Sequence, residues 1–234
     1  MQLSAICDRL DDRLRTAAYA DLDASANGLQ VGPDSATVDH AAFAVDAAVQ
    51  TIDDAIRAGA DLLITHHGLV WGGLDRLAGT AYRRIAPLVR HGVALYVSHL
   101  PLDGHPELGN AAGVADALGL IDREPFGSIG EETIGRRGQV DGEPYSPERL
   151  RDALESELGP VRPVNVLEFG PETITDVAVL TGSGADWVDE AAEAGVDAFV
   201  TGEGKQALYH AAREAGLHVF LAGHYATETF GVRS

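Results

Sequence analysis

Apolar residues recur at Leu3, Ile6, Leu10 and Leu14, spacings of three and four that put them on one helical face, so the chain is predicted to open with an amphipathic helix. Further along the pattern changes. Three short apolar runs, 41–45, 62–65 and 93–97, alternate with helical patterns over 49–57 and 80–90. A strand pattern at 135–140 precedes Ser146-Pro147-Glu148, which opens another helix with an N-cap and proline at the first helical position. The alternation then resumes, with strands at 177–180, 198–201 and 219–221. Strand and helix alternating at this interval predict an α/β fold with largely parallel sheets.

The two alternating blocks resemble each other. Ala58-Gly59-Ala60-Asp61-Leu62-Leu63-Ile64-Thr65-His66-His67-Gly68 aligns with Ala194-Gly195-Val196-Asp197-Ala198-Phe199-Val200-Thr201-Gly202-Glu203-Gly204 at a constant offset of 136, with five of eleven positions identical. The chain is therefore read as two related α/β lobes, residues 1–125 and 126–234, with Gly127-Ser128-Ile129-Gly130 as the linker near the boundary.

Charge narrows the function classes. Across 234 residues, 36 acids against 17 bases give a formal net charge of −19. Nucleic acids and anionic membranes select basic surfaces, so neither is expected as a partner. Lys205 is the sole lysine, the other bases being arginines. A carboxylate-rich, lysine-poor surface is expected of a protein kept soluble in concentrated salt, as in a halophile's cytosol. Cys7 is the single cysteine, which excludes an intrachain disulfide and a thiolate zinc site. The first fifteen residues lack the basic start and apolar run of a signal peptide, and no apolar stretch approaches the roughly 20 residues needed to span a bilayer. A cytoplasmic location is expected.

Three strand ends carry candidate chemistry. In an open parallel sheet, ligands bind just past the carboxyl ends of strands. Ile64-Thr65-His66-His67-Gly68 occupies such an end; adjacent side chains on a strand diverge, so the two histidines suit two ions, one each. At the next strand end, Pro101 argues against a helix, so His99 and Asp103 are expected on a loop turned toward the same cleft, with His105 further out in solvent. The third is Gly223-His224-Tyr225-Ala226-Thr227-Glu228: a helix beginning at Tyr225 would put His224 and Glu228 one turn apart on one face. Nitrogen and carboxylate donors without thiolate suit zinc, iron, manganese or cobalt.

Weaker features have structural readings. Thr181-Gly182-Ser183-Gly184 before a helix could cradle phosphate, although the same glycines serve any tight turn. Arg136 and Arg137 read as ion-paired, and Tyr209, His210 and His218 as core or surface residues.

Taken together, Asn27-Gly28-Leu29-Gln30-Val31-Gly32, the His66-His67-Gly68 stretch, the run from His99 to Asn110, Thr201-Gly202-Glu203 and Gly223 to Glu228 resemble, in order and over nearly the whole chain, the dinuclear-metal-centre family known as GTP cyclohydrolase 1 type 2 homologues. The resemblance implies two α/β lobes, two divalent metal ions in the cleft between them, and a toroidal homohexamer. It implies His66, His67, Asp103, His224 and Glu228 as metal ligands, Glu228 bridging, and places His99 either as a further ligand or just behind the ligands. Two departures stand out. The family's Gly-Asn-Asn reads Gly109-Asn110-Ala111, and Ser234 falls where relatives continue into a last helix and strand, which leaves Glu228 close to a terminus that could fray.

The function expected is metal-dependent hydrolysis of a nucleotide or other small molecule by a metal-activated water. Glu228 and His99 are the catalytic candidates, with His99 or His105 moving the proton. The alternative is a non-catalytic metal-binding scaffold or regulatory protein whose ring assembly is its function.

Overall fold

The computed structural model describes residues 1–234 except 34, 75 and 160–162. The chain divides into two compact units, Met1–Leu102 and Asp103–Val232. The division falls some twenty residues before the boundary expected from sequence. The Gly127–Gly130 stretch is no linker: it ends strand β5 (Leu120–Ile129) and turns into β6 (Glu132–Val140), the two forming an antiparallel hairpin. Glycine supplies the positive φ of the turn, +59° at Gly130, and the same residue type makes hairpins and linkers look alike in sequence.

In the first unit, β2 (Ala41–Asp46), β3 (Leu62–His67) and β4 (Ala94–Val97) run parallel, and β1 (Gly28–Val31) adds to β4 antiparallel, giving the order β1-β4-β3-β2. Alternate residues of β3 and β4 serve different cores. Leu62, Ala94 and Tyr96 pack with Leu3 and Cys7 of α1 (Leu3–Leu14), while Leu63, Leu95 and Val97 pack with Ile52 and Ala55 of α2 (Val49–Arg57) and Leu88 of α3 (Gly79–His91). This double burial explains why the strands read as unbroken apolar runs.

After the one-turn α4 (Leu100–Asp103) and α5 (Asn110–Ala117), the second unit builds a six-stranded sheet. Its parallel centre is β8 (Asp176–Leu180), β9 (Ala198–Thr201) and β10 (His218–Leu221); the β5–β6 hairpin flanks β8, and β7 (Asn165–Leu167) pairs antiparallel with β10. Helices α6 (Pro147–Leu158), α7 (Val188–Ala194) and α8 (Gln206–Ala215) complete the alternation. Ser146 caps α6 by accepting from the Arg149 amide at 3.2 Å.

The internal repeat extends to individual hydrogen bonds. The Asp61 carboxylate, just before β3, accepts the amides of Asp39 and His40 at 2.8 and 2.9 Å. Asp197, 136 residues later and just before β9, accepts those of Thr175 and Asp176 at 2.8 and 3.0 Å, the same two positions of the repeat. Gly59 and Gly195 turn with φ of +72° and +70°. Each aspartate ties the start of its strand to the neighbouring strand, in keeping with the parallel register. These contacts support duplication more specifically than a shared strand-helix rhythm could.

The C-terminal segment is tied down rather than frayed. In the second unit, Phe230 lies against Gly113 of α5, the Gly231 amide donates to Asn110 Oδ1 at 2.7 Å, and the Ser234 hydroxyl donates to the Leu108 carbonyl at 2.9 Å. A Cβ at Gly113 would sit 2.5 Å from that of Phe230. Gly113→Ala is therefore expected to cost about 1–3 kcal/mol by overpacking, seen as a lowered melting temperature, with Phe230→Ala in the same chain restoring part of the loss.

Candidate metal centre

β3 and β4 end side by side, and their last turns carry three imidazoles of the first unit. His66 is fully buried; His67 and His99 are half-buried. The His66 and His67 rings lie 4.6 Å apart and those of His66 and His99 5.1 Å apart, and one ligand atom from each of the three can be chosen so that all lie within 4.8 Å of one another. The expected divergence of neighbouring strand side chains does not keep these two rings apart, because the pair sits where the strand ends and its alternation lapses.

Each ring is anchored by Nδ1. That of His66 meets the Ser98 carbonyl at 3.0 Å, that of His67 the Asp46 carboxylate at 2.9 Å, and that of His99 the Asp23 carboxylate at 2.9 Å. Carbonyls and carboxylates accept, so Nδ1 carries the proton and the lone pair of each neutral ring is left on Nε2. A carboxylate or carbonyl behind a histidine that ligates through its other nitrogen is the usual support of a metal site, fixing tautomer and ring orientation.

Asp23 is a site residue that sequence reasoning missed. Its side chain is 2% exposed and, besides His99, accepts from Asn27 Nδ2 at 2.8 Å and from the amides of Ser25 and Leu100 at 2.8 and 3.0 Å. Burial alone would raise this carboxyl, but the hydrogen bond and charge of His99, with the hydrogen bonds of Asn27 and Ser25, hold it below the ordinary carboxylate value. Asn27 also accepts the His99 amide at 2.7 Å, which gives the first resemblance motif a physical role. Nothing in the sequence marks Asp23 beyond its place four residues before Asn27. Asp46, at the end of β2, escapes sequence reasoning in the same way.

In the second unit, His224 and Glu228 lie one turn apart, as expected, on α9 (His224–Thr227) and at its end, with His224 Nε2 to Glu228 Oε1 at 3.0 Å. Glu228 is 2% exposed. Glu203, after β9, stands 3.1 Å from His224 Nδ1 and accepts the Ser183 hydroxyl at 2.5 Å. So His224, like His67 and His99, has Nδ1 on a carboxylate, where His66 uses a backbone carbonyl. Glu228 first, then Glu203, push the imidazole up to about 9, while Ser183 and His224 lower Glu203. Asp103 is buried and accepts from Asn110 at 2.8 Å, with the Thr181 hydroxyl at 3.4 Å.

Several expectations change. Pro101 does not keep 100–103 in a loop; it sits in the first turn of α4, where its missing N–H costs no hydrogen bond. His105 is buried, not solvent-exposed, and its Nδ1 accepts the amides of Glu107 and Leu108 at 3.2 and 2.9 Å. The Gly182–Gly184 turn spends its amides internally, Gly182 on Thr227 Oγ1 at 3.1 Å and Gly184 on Thr201 Oγ1 at 3.0 Å. Its glycines serve close approach: a Cβ at Gly182, where φ is +63°, would collide with the Glu228 carboxylate. Arg137 pairs bidentately with Asp176 at 2.9 and 2.6 Å, Arg136 caps the Gly104 and Gly135 carbonyls at 2.7 Å, and buried His218 meets the Pro171 carbonyl at 2.7 Å. Ala111, at the family's second asparagine, packs in the core.

The donor set fits divalent metal. Imidazoles with their Nδ1 protons engaged, together with buried carboxylates and no thiolate, suit zinc, iron, manganese or cobalt. No helix among the described residues is long and apolar enough to cross a membrane.

Comparison with known proteins agrees with this reading of the fold. The chain is 59% identical over 235 residues to a Halobacterium salinarum protein named GTP cyclohydrolase 1 type 2 homolog, covering all of this chain and 92% of the relative. An Archaeoglobus fulgidus protein of the same name is 40% identical, covering 100% and 91%. Among solved structures, protein ybgI, described as of unknown function, superposes with a TM-score of 0.91 at 37% identity over 100% of this chain and 91% of that one. A Thermus thermophilus protein gives 0.89 at 36% identity, covering 100% and 90%. Residues 1–234 match the pattern of Duf34/NIF3 (NGG1p interacting factor 3), and the chain belongs to that family.

Proposed function

We propose that the chain is a hydrolase that depends on two divalent ions, zinc, iron, manganese or cobalt, and acts on a nucleotide or other small molecule. His66, His67, Asp103, His224 and Glu228 are the ligands in this reading. The observation that carries it is the fourfold repetition of one device: His66, His67, His99 and His224 each turn Nδ1 to a carbonyl or carboxylate. A surface histidine needs no such support; a ligating one does. When bound, two such ions supply a water of lowered pKa as nucleophile and polarise the group under attack. The residues orient and exchange protons. Glu228, buried against Gly182, is held where it accepts a proton without swinging away. His99, backed by Asp23 as His67 is by Asp46, is the proton carrier or a further ligand. The name the relatives carry, GTP cyclohydrolase 1 type 2 homolog, supports a nucleotide-type substrate. The proposed assembly is a homohexamer; exposed Phe43 on the edge strand β2, 59% accessible, is the sort of surface that self-association covers.

A screen of nucleotides and phosphoesters with manganese, iron or zinc tests the activity. Glu228→Gln is expected to lower turnover at least 100-fold, within the range removal of a general base gives; equal activity in both proteins would remove the proposed site, and metal that binds with no activity toward any substrate would favour the scaffold reading.

Metal uptake should depend on pH with a definite sign. Because His224 is raised to about 9, it is protonated at neutral pH in the metal-free protein, and ligation through Nε2 must expel a proton. Affinity therefore rises with pH up to about 9, and metal addition at neutral pH releases a proton from this group, measurable in weakly buffered solution. Glu203→Gln removes one of the charges that raise His224 and is expected to move the upper break to lower pH.

Asp23→Asn tests the role of His99. It keeps the shape but loses the anionic acceptor, and is expected to weaken zinc binding about 10–100-fold in competition with a chromophoric chelator. Unchanged affinity would place His99 outside the ligand set.

A further inference from the structure

Beside His67, within the first unit, lies a cavity of about 320 Å³ whose walls include Asp46, His67, Gly68, Trp71 and Arg84. Arg84 comes from α3 and is the unusual member. Among the described residues, its Nε is buried without a hydrogen-bond partner and no ion pair is found for its guanidinium. In a chain with 36 acids and 17 bases, carboxylate partners are plentiful. Arg57, Arg123, Arg137, Arg149, Arg151 and Lys205 all have one. Asp46, in the same wall, directs its carboxylate to His67 Nδ1. A buried N–H left unsatisfied costs stability, about 1–3 kcal/mol for such a group, and Arg presents a planar fork of donors that matches a carboxylate or phosphate. The cavity thus holds a guanidinium that no described carboxylate contacts directly, the Asp46 carboxylate being turned to His67.

Another lining residue supplies a platform. Trp71 is 43% exposed, yet its ring is fixed: Nε1 donates to the Gly68 carbonyl at 3.2 Å, and the ring meets His99 edge-on with centroids 4.9 Å apart. An exposed, immobilised indole stacks planar groups at little entropic cost. Volume limits what enters. About 320 Å³ is near the lower end of small-molecule sites, roughly 300–1,000 Å³, so the cavity takes one end of a ligand, not the whole.

We propose that this cavity is an anion subsite: Arg84 takes the carboxylate or phosphate of a planar small molecule and Trp71 stacks its ring, holding the remainder over the His66–His67–His99 group. The position of the reacting atom rests on the hydrolase reading above; the binding of the anionic end does not. Arg84 is a specificity residue here, and it takes no proton and no ligand position.

The test uses the full chain with Trp187→Phe, so that emission reports Trp71, in zinc-loaded and metal-free forms at fixed salt. Four nucleoside 5′-monophosphates with their nucleosides, and nicotinate with nicotinamide, are titrated against its fluorescence. At least one anion is expected to bind tenfold or more tightly than its neutral counterpart. Arg84→Gln is expected to abolish that preference while leaving the neutral compound's affinity and the zinc content unchanged, and Arg84→Lys to restore part of it. The preferred pair tells phosphate from carboxylate. No quenching by any anion, equal binding of anion and neutral partner, a preference that survives Arg84→Gln, or loss of zinc in that variant each overturns the subsite. Because the metal-free arm reads the subsite alone, failure of the hydrolase reading shows separately, as absence of bound zinc.

Discussion

An imidazole taken out of water at the end of a strand has to place its ring N–H somewhere, and that requirement organises the candidate centre. Satisfying it fixes the tautomer, the ring plane and the side from which anything else can reach the ring. His66 uses the carbonyl of Ser98 on the neighbouring strand end, so the parallel register of β3 and β4 is itself part of the site. His67 and His99 recruit carboxylates from Asp46 and Asp23, and His224 recruits Glu203. The backbone in turn places these acceptors: Asp46 ends β2, and Glu203 follows β9 with its amide donating to the Gly182 carbonyl at 3.0 Å. The chemistry is therefore carried less by the histidines than by the elements that hold what stands behind them.

That distribution explains what the sequence disclosed. Strands buried on both faces and helices with one apolar face leave strong periodicities, and the expected strands at 41–45, 62–65 and 198–201 match β2, β3 and β9 within two residues. The histidines are legible because strand ends in parallel sheets collect ligands and because two neighbouring histidines are rare enough to notice. The acceptors are not. Asp23 and Asp46 belong to a chain in which 36 residues are acidic, so a single supporting carboxylate carries no compositional signal. The role of Asp23 is set by a contact with residue 99 across 76 positions, which no local pattern contains.

The misreadings have a common origin. Gly127 to Gly130 and Pro101, judged by residue type alone, suggest a linker and a helix breaker. Glycine's positive φ serves a hairpin turn as readily as a linker, and proline is excluded only from helix interiors. The polar neighbours of His105 suggest exposure, yet its ring closes a turn by accepting two amides, a use of histidine that depends on the turn and not on polarity.

The paired aspartates Asp61 and Asp197 separate the framework of the fold from its chemistry. Both halves of the repeat retain the clamp that sets the strand, while the residues immediately past it have parted: Thr65-His66-His67-Gly68 in one copy, Thr201-Gly202-Glu203-Gly204 in the other. The framework is kept in both copies and the donor positions are not. The same clamp therefore precedes a turn bearing two imidazoles in one copy and a carboxylate in the other, so the framework leaves open which side chains stand past it.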